Sequence, residues 1–204
     1  MAIDKSTGKK RVKVITITGG KGGVGKSSVS LNTAVALTLM GKKVMLFDAD
    51  LGLANIDVML GLKVDKNLGH VLNGECELKD ILQTGPHGLR IVPASSGLKQ
   101  MVELSVEQHA GLIHAFSTLD EDIDYFIVDT AAGISDMVLS FCRAAQDVLM
   151  VVCNEPTSVA DAYAQMKVLS RDYGVNRFKI VGNQLHSLDE GKLMYQKLVA
   201  VTER

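Results

Sequence analysis

"TITGGKGGVGKSSVSLN", residues 16–32, is a glycine-rich turn set between an apolar run and a helical pattern. Within it, Gly20 to Ser27 reads GKGGVGKS: a glycine, four residues, then Gly-Lys-Ser. Between a strand and a helix this spacing lets backbone N–H groups turn onto phosphate oxygens, with the positive helix end behind them. Lys26 then neutralises the β- and γ-phosphates, and the Ser27 hydroxyl ligates Mg²⁺. One lysine suffices for that task. Lys21 is a second, and a cation pointing out of the loop's entrance would be left unpaired in a single chain.

Working outward, short apolar runs alternate with longer helical patterns. Strands are expected at 12–18, 43–48, 89–94, 125–130, 147–153 and 178–183, nearly continuous in Val, Ile, Leu and Met. Runs of that kind belong to strands covered on both faces. Helices are expected from Ser27 to Met40 with a stop at Gly41, after Ser105 with Gln108 as a capping partner, from Thr157 to near Gly174, and over 188–204. Thr157 suits a helix cap. Strand and helix repeated in this way predict a three-layer α/β/α fold around a mostly parallel sheet with right-handed crossovers. Residues 54–86 break the alternation with short helical pieces and offer a partner surface.

The ends carry two expectations. The basic stretch 1–11 reads as a flexible tail or a docking arm, with the phosphate-loop domain over 12–204. A further strand would ordinarily follow the last helix, so the chain is expected to be a fragment of a longer protein.

Composition narrows the classes. Among 204 residues, 47% are hydrophobic, 4% aromatic and none is Trp, so the core is aliphatic and Met-filled. The net charge of -1 gives no global field for nucleic acid or anionic lipid. Three cysteines, Cys76, Cys142 and Cys153, form no CxxC pair, which argues for reduced thiols and against a structural zinc or cluster site. With no signal peptide or spanning run, a cytoplasmic location is expected. His109 and His114, five residues apart, fall on different sides of a helix and make a poor metal site.

Ligands of parallel sheets bind at the carboxyl ends of strands. Asp48 and Asp50 in "DADLGLANID", 48–57, are therefore placed to face phosphate. Asp50 is the candidate that orients water for attack on the γ-phosphate, and Asp48 supports Mg²⁺. Asn55 and Asp57 share the segment with weaker claims. In "DTAAG", 129–133, Asp129 would hold Mg²⁺ through water and the Gly133 N–H could reach the γ-phosphate. Asn183 in "IVGNQ" can pair with an adenine edge, and no guanine-reading NKxD motif is present.

The loop "KGGVGKS" resembles the deviant Walker A loop of the MinD/ParA family of ATPases, with Lys21 as its signature lysine. "DTAAG" is similar to that family's Walker B and switch II. Further stretches resemble the FleN/FlhG branch of flagellar-number regulators: "DADLGLANIDVMLGL", "RIVPASSGLKQMVELS", "VDTAAGISDMVLSFCRAAQDVLMVVCNEPTSVADAYA" and "HSLDEGK". The resemblance implies a slow regulatory ATPase whose nucleotide set is Gly20, Gly22, Gly23, Val24, Gly25, Lys26, Ser27, Ser28, Gly133 and Asn183. Its implied metal set is Ser27, Asp48 and Asp129, and its catalytic set Asp50, Lys21 and Lys26. It further implies ATP and Mg²⁺, a nucleotide-dependent homodimer, an FlhF-type GTPase or a sigma-54-type flagellar activator as partner, and no direct nucleic-acid contact. Membrane or polar attachment would come only through a C-terminal helix beyond this chain, and the motif by which some members activate FlhF is lacking. MinD-like division-site placement, ParA-like DNA partitioning, an iron–sulfur ATPase and a binding module without turnover stand as alternatives.

Overall fold

The structure is a computed structural model that describes residues 12–50, 54–94, 116 and 122–202. Seven strands form one sheet in the order β3-β4-β2-β5-β1-β6-β7. These are β1 (Lys13–Thr18), β2 (Val44–Ala49), β3 (Gln83–Thr84), β4 (Arg90–Val92), β5 (Tyr125–Thr130), β6 (Asp147–Val152) and β7 (Lys179–Gly182). β1 with β6, β2 with β4 and β6 with β7 pair parallel, while the two-residue β3 runs antiparallel to β4. The helices are α1 (Lys26–Leu39), α2 (Ile56–Leu60), α3 (Leu68–Leu72), α4 (Asp136–Ala144), α5 (Pro156–Tyr173) and α6 (Leu188–Thr202). The fold is therefore α/β with a mostly parallel sheet, as the alternation predicts.

The chain divides into two compact units, Met1–Val14 with Ser30–Val128, and Ile15–Val29 with Asp129–Arg204. In the first, β2 is buried along its whole length, and Phe47 lies 4.9 Å from Phe116 and 6.4 Å from Phe126, ring to ring. Asp124 joins the start of β5 to β2: its N–H donates to the Lys43 carbonyl and its carboxylate accepts from the Lys43 N–H. The excursion after β2 is as broken as its sequence suggests, with α2, α3 and 3-10 turns at Leu78–Ile81 and Pro86–Gly88. Gly41 closes α1 at φ 76, and the Lys42 N–H reaches back to the Leu37 carbonyl.

In the second unit Val148, Met150 and Val152, alternate residues of β6, join the clusters that α4, α5 and α6 supply. Val138, Leu139 and Cys142 of α4 pack with Val148 and Leu169. Val159, Ala162 and Met166 of α5 and Met194 and Leu198 of α6 pack with Met150 and Val152. Two threonines interrupt the apolar run of β1, and both are fully buried. Each has a partner: Thr16 Oγ1 donates to the Phe141 carbonyl at 3.0 Å, and Thr18 Oγ1 accepts from Gln165 Nε2 at 2.7 Å. Buried hydroxyls are tolerated because those bonds replace water.

Some local expectations differ from the structure. The cap position of α5 is Glu155, with Pro156 in the first turn and no side-chain cap bond, so Thr157 does not cap it. Proline at that position needs no N–H partner and presets φ, which replaces the cap. Ser158 turns back instead, and its Oγ accepts the Cys153 N–H at 3.0 Å. The helix expected after Ser105, its histidines and the 1–11 tail lie outside the described residues.

Candidate phosphate-binding site

The phosphate loop leaves β1 at Gly19 and enters α1 at Lys26, and its glycines are required for different reasons. Gly25 has φ 92, and a Cβ there would meet Asn183 Nδ2 at 2.2 Å. Gly20 lies against α5, where a Cβ would come within 2.3 Å of the Asp161 backbone. At Gly22 and Gly23 an added Cβ would meet nothing within 4 Å. The loop is thus pressed against its own unit at two glycines and open at two others, leaving room for a ligand over the open pair.

The backbone of the loop is held from several elements. The Gly133 N–H donates to the Gly19 carbonyl at 3.3 Å. Gln184 Nε2 donates to the Gly23 carbonyl and Asn183 Nδ2 to the Val24 carbonyl, both at 2.9 Å. Cys153 Sγ adds a weaker contact, 3.7 Å from the Val24 carbonyl. Gln184 holds its bond from a left-handed backbone, φ 56, uncommon for a residue with a Cβ. Behind this brace, Glu190 of α6 accepts from the His186 N–H and from Asn154 Nδ2, and those bonds hold its carboxyl below the usual range. Lys197 donates to Asn154 Oδ1 at 3.0 Å.

Lys26 is 8% exposed, and its stem passes over Gly19, whose Cβ would lie 3.5 Å from Lys26 Cδ. Lys21 corrects an expectation: its charge is not left unpaired in the single chain. Its Nζ forms an ion pair with Glu155, at the start of α5. That hydrogen bond, with the charges of Glu155 and Asp161, raises the Lys21 pKa and keeps the amine a cation. The spacing of the loop gives no sign of Glu155, which lies 134 residues away.

Asp129, the penultimate residue of β5, is 1% exposed. Beside it, Thr130 Oγ1 donates to the Ile17 carbonyl at 3.1 Å, fixing the end of β5 to β1. Asp129 and Ser27 belong to the same compact unit. A carboxylate and a hydroxyl are hard oxygen donors of the kind Mg²⁺ takes, so these residues fit that ion.

In the other unit, Asp48 is 2% exposed and its carboxylate serves the chain. Oδ1 accepts the Asp50 N–H at 3.1 Å, and Oδ2 accepts those of Asn55 at 2.9 Å and Ile56 at 3.1 Å. These bonds tie Asn55 and Ile56, at the start of α2, to the end of β2, and Asp50 is half-buried. Asp57 accepts its neighbour Val58's N–H. Sequence reading places Asp48 beside a metal; the structure gives it three backbone partners, a role that spacing does not reveal. Asn183 and Gly133 likewise have a loop-bracing part that the motif reading does not contain.

Among the described residues, no three or more His, Cys, Asp or Glu side chains are placed to hold a metal ion. No described helix is long and apolar enough to cross a membrane.

Comparison with known proteins agrees with this geometry. The ParA family model, described as NUBPL iron-transfer P-loop NTPase, matches residues 10–188. The antiactivator FleN of Pseudomonas aeruginosa is 58% identical over 193 residues, 95% of this chain and 69% of that protein. The flagellum site-determining protein YlxH of Helicobacter pylori is 36% identical, over 96% of this chain and 66% of its own length. The chain therefore spans about two thirds of these relatives. Among solved structures, the septum site-determining protein MinD of Pyrococcus horikoshii, complexed with Mg-ADP, superposes with TM-score 0.70 at 27% identity, covering 83% of this chain and 68% of that one. A braced glycine loop with a buried lysine, a second lysine at its entrance and a strand-end aspartate thus occur in a chain that matches the family model over most of its length: it belongs to the ParA/MinD-type P-loop ATPases.

Proposed function

We propose that this chain is the nucleotide-handling part of a dimerising regulatory ATPase that governs flagellar number or placement. The observation that carries the switch is the Lys21–Glu155 ion pair. A lysine held by an exposed carboxylate in one chain has an alternative partner in a polyanion, and the triphosphate of a facing protomer is the stronger one. Binding of Mg·ATP to two chains would move Lys21 from Glu155 to the facing phosphates. The dimer would then last while the γ-phosphate is intact.

In this reading Lys26 would bind the β- and γ-phosphates, Ser27 and Asp129 would hold Mg²⁺, and Asp50 would orient the attacking water. Held there, Mg²⁺ would supply neutralisation of the charge that develops on the phosphate oxygens. Asp48 sets the position of Asp50 through the chain that it folds. A γ-phosphate contact by Gly133 would replace its bond to Gly19, and base reading by Asn183 would replace its bond to Val24. The flagellar role rests on the similarity to an antiactivator and to a flagellum site-determining protein. An FlhF-type GTPase or a sigma-54-type activator would be the partner.

Light scattering of the apo, ADP and ATP forms tests the proposal. Lys21→Ala should bind Mg·ATP normally yet remain monomeric with it, and Asp50→Ala should dimerise but hydrolyse more slowly. A Lys21→Ala protein that dimerises like the parent would refute the switch. ATP-dependent, salt-sensitive binding to nonspecific DNA would favour partitioning instead.

A further inference from the structure

Gln165 places an amide in the core of the second unit. Its neighbours along α5, Ala162, Met166 and Leu169, are buried, and Gln165 itself is 0% exposed. Its Nε2 donates to Thr18 Oγ1 at 2.7 Å, while its Oε1 has no hydrogen-bond partner among the described residues. The Thr18 hydroxyl also hydrogen-bonds with the buried Cys142 thiol of α4, so the end of the amide that faces Thr18 is the donor end. A buried amide oxygen without a partner is destabilising, and an apolar side chain of the same shape would avoid that penalty. Stability alone therefore gives no reason for Gln165, and its single bond points to a task.

That bond reaches the root of the phosphate loop. Thr18 ends β1, and the next residue, Gly19, supports two groups of the site. The Gly19 carbonyl accepts the Gly133 N–H at 3.3 Å. The Lys26 stem lies over Gly19, where an added Cβ would sit 3.5 Å from Lys26 Cδ and 2.9 Å from the Val151 carbonyl. One turn before Gln165, the Asp161 backbone abuts Gly20. α5 thus meets the root of the loop at two successive turns, by contact at Gly20 and by a hydrogen bond at Thr18. Farther along, the Gly23 and Val24 carbonyls are held by Gln184 and Asn183 and do not depend on Gln165.

We propose, on the reading of Lys26 as the cation of the β- and γ-phosphates, that Gln165 is a positioning residue for ATP hydrolysis. Through Thr18 it fixes Gly19, and through Gly19 it fixes the Lys26 stem and the Gly133 N–H. Without the bond the end of β1 gains freedom, and the Lys26 amine is less well placed where charge grows on the γ-phosphate in the transition state. The rest of the loop stays braced, so ground-state nucleotide binding is spared. The loss falls on kcat and not on KM.

The test is the kinetics of Mg·ATP hydrolysis in Gln165→Met, Thr18→Val and Thr18→Ser. Gln165→Met removes the bond and the orphaned oxygen together, so it should melt at or above the temperature of the parent. Its kcat should nevertheless fall about tenfold, with KM within about twofold. Thr18→Val should behave alike, the double variant should be no worse than either single one, and Thr18→Ser, which keeps the hydroxyl, should restore kcat. The Gly133 amide should exchange with solvent faster in Gln165→Met than in the parent. A purely structural role would move the melting temperature and leave kcat alone. Parent-like kcat in Gln165→Met, a loss confined to KM, or losses that add in the double variant would each overturn the proposal. Lys26→Ala is the companion variant: if it hydrolyses ATP like the parent, the reading of Lys26 falls as well, whereas an inactive Lys26→Ala beside a parent-like Gln165→Met removes Gln165 alone.

Discussion

The phosphate loop and the polar cleft at the amino ends of β2 and β4, whose lining includes Lys42, Lys43, His87, Arg90 and Asp122, both gather lysines around glycine turns, yet they are built in opposite ways. The loop, Gly20 to Ser27, is eight residues of continuous chain whose backbone is fixed by Gln184, Asn183 and Gly133 and pressed at Gly20 and Gly25. Its principal cation, Lys26, is buried. The cleft is assembled from three separate stretches, around 38–44, 87–90 and 122–123, and Lys42, Lys43 and His87 are exposed. A site made of adjacent residues carries its geometry in a spacing that can be read; a site made of distant residues leaves no spacing. The loop is specified by backbone sterics and the cleft by where distant stretches meet, so substitutions should divide the two sharply.

The largest expected effect is on charge. Lys26→Ala should lose about a hundredfold in Mg·ATP affinity by calorimetry, because it removes a buried charge-assisted contact, whereas Lys42→Ala should change that affinity less than about twofold. Equal losses would mean that the two cations share a site. Backbone sterics come next. Gly25→Ala should destabilise the fold by about 2 kcal/mol in urea unfolding, because it combines a left-handed φ with a clash on Asn183.

Burial pushes the Cys142 thiol up to about 12. Because the folded chain holds that proton more tightly than the unfolded one, the associated stability is complete below the ordinary thiol pKa and is lost as pH rises toward 12. Melting temperatures measured upward from pH 9 should therefore fall less steeply in Cys142→Ala than in the parent. At pH 8, Ellman's reagent should label the half-buried Cys76 and spare Cys142 in the folded protein. Gln184→Ala should cost about 1 kcal/mol, the net value of its bond to Gly23, and should lengthen loop opening seen by hydrogen exchange.

The smallest effect has the opposite sign. His87→Gly should stabilise the chain or leave it within about 1 kcal/mol, since it relieves a left-handed side chain at the cost of unfolded-state entropy. A large loss there would mean that the His87 side chain supports the fold.

Strand positions were legible because buried parallel strands are nearly continuous apolar runs; each of the six expected strands is present within two residues at either end. Gly41 and Gly174 both stop helices with positive φ, as punctuation predicts. Residues 136–144 were less legible. α4 and β6 are separated only by Ala145 and Gln146, with no glycine or proline between them, so an apolar stretch hides a change of period.

By itself the sequence determined the α/β class, the phosphate loop and the family, because glycine sterics, apolar period and a lysine at fixed spacing are local properties of the chain. Tertiary structure alone decided that Lys21 rests on Glu155, that Asp48 holds three backbone N–H groups, and that Asn183 and Gln184 brace the loop. Hydrogen bonds and ion pairs between residues far apart in the chain depend on distances that only the packed sheet and helices set, and no spacing along the chain encodes them.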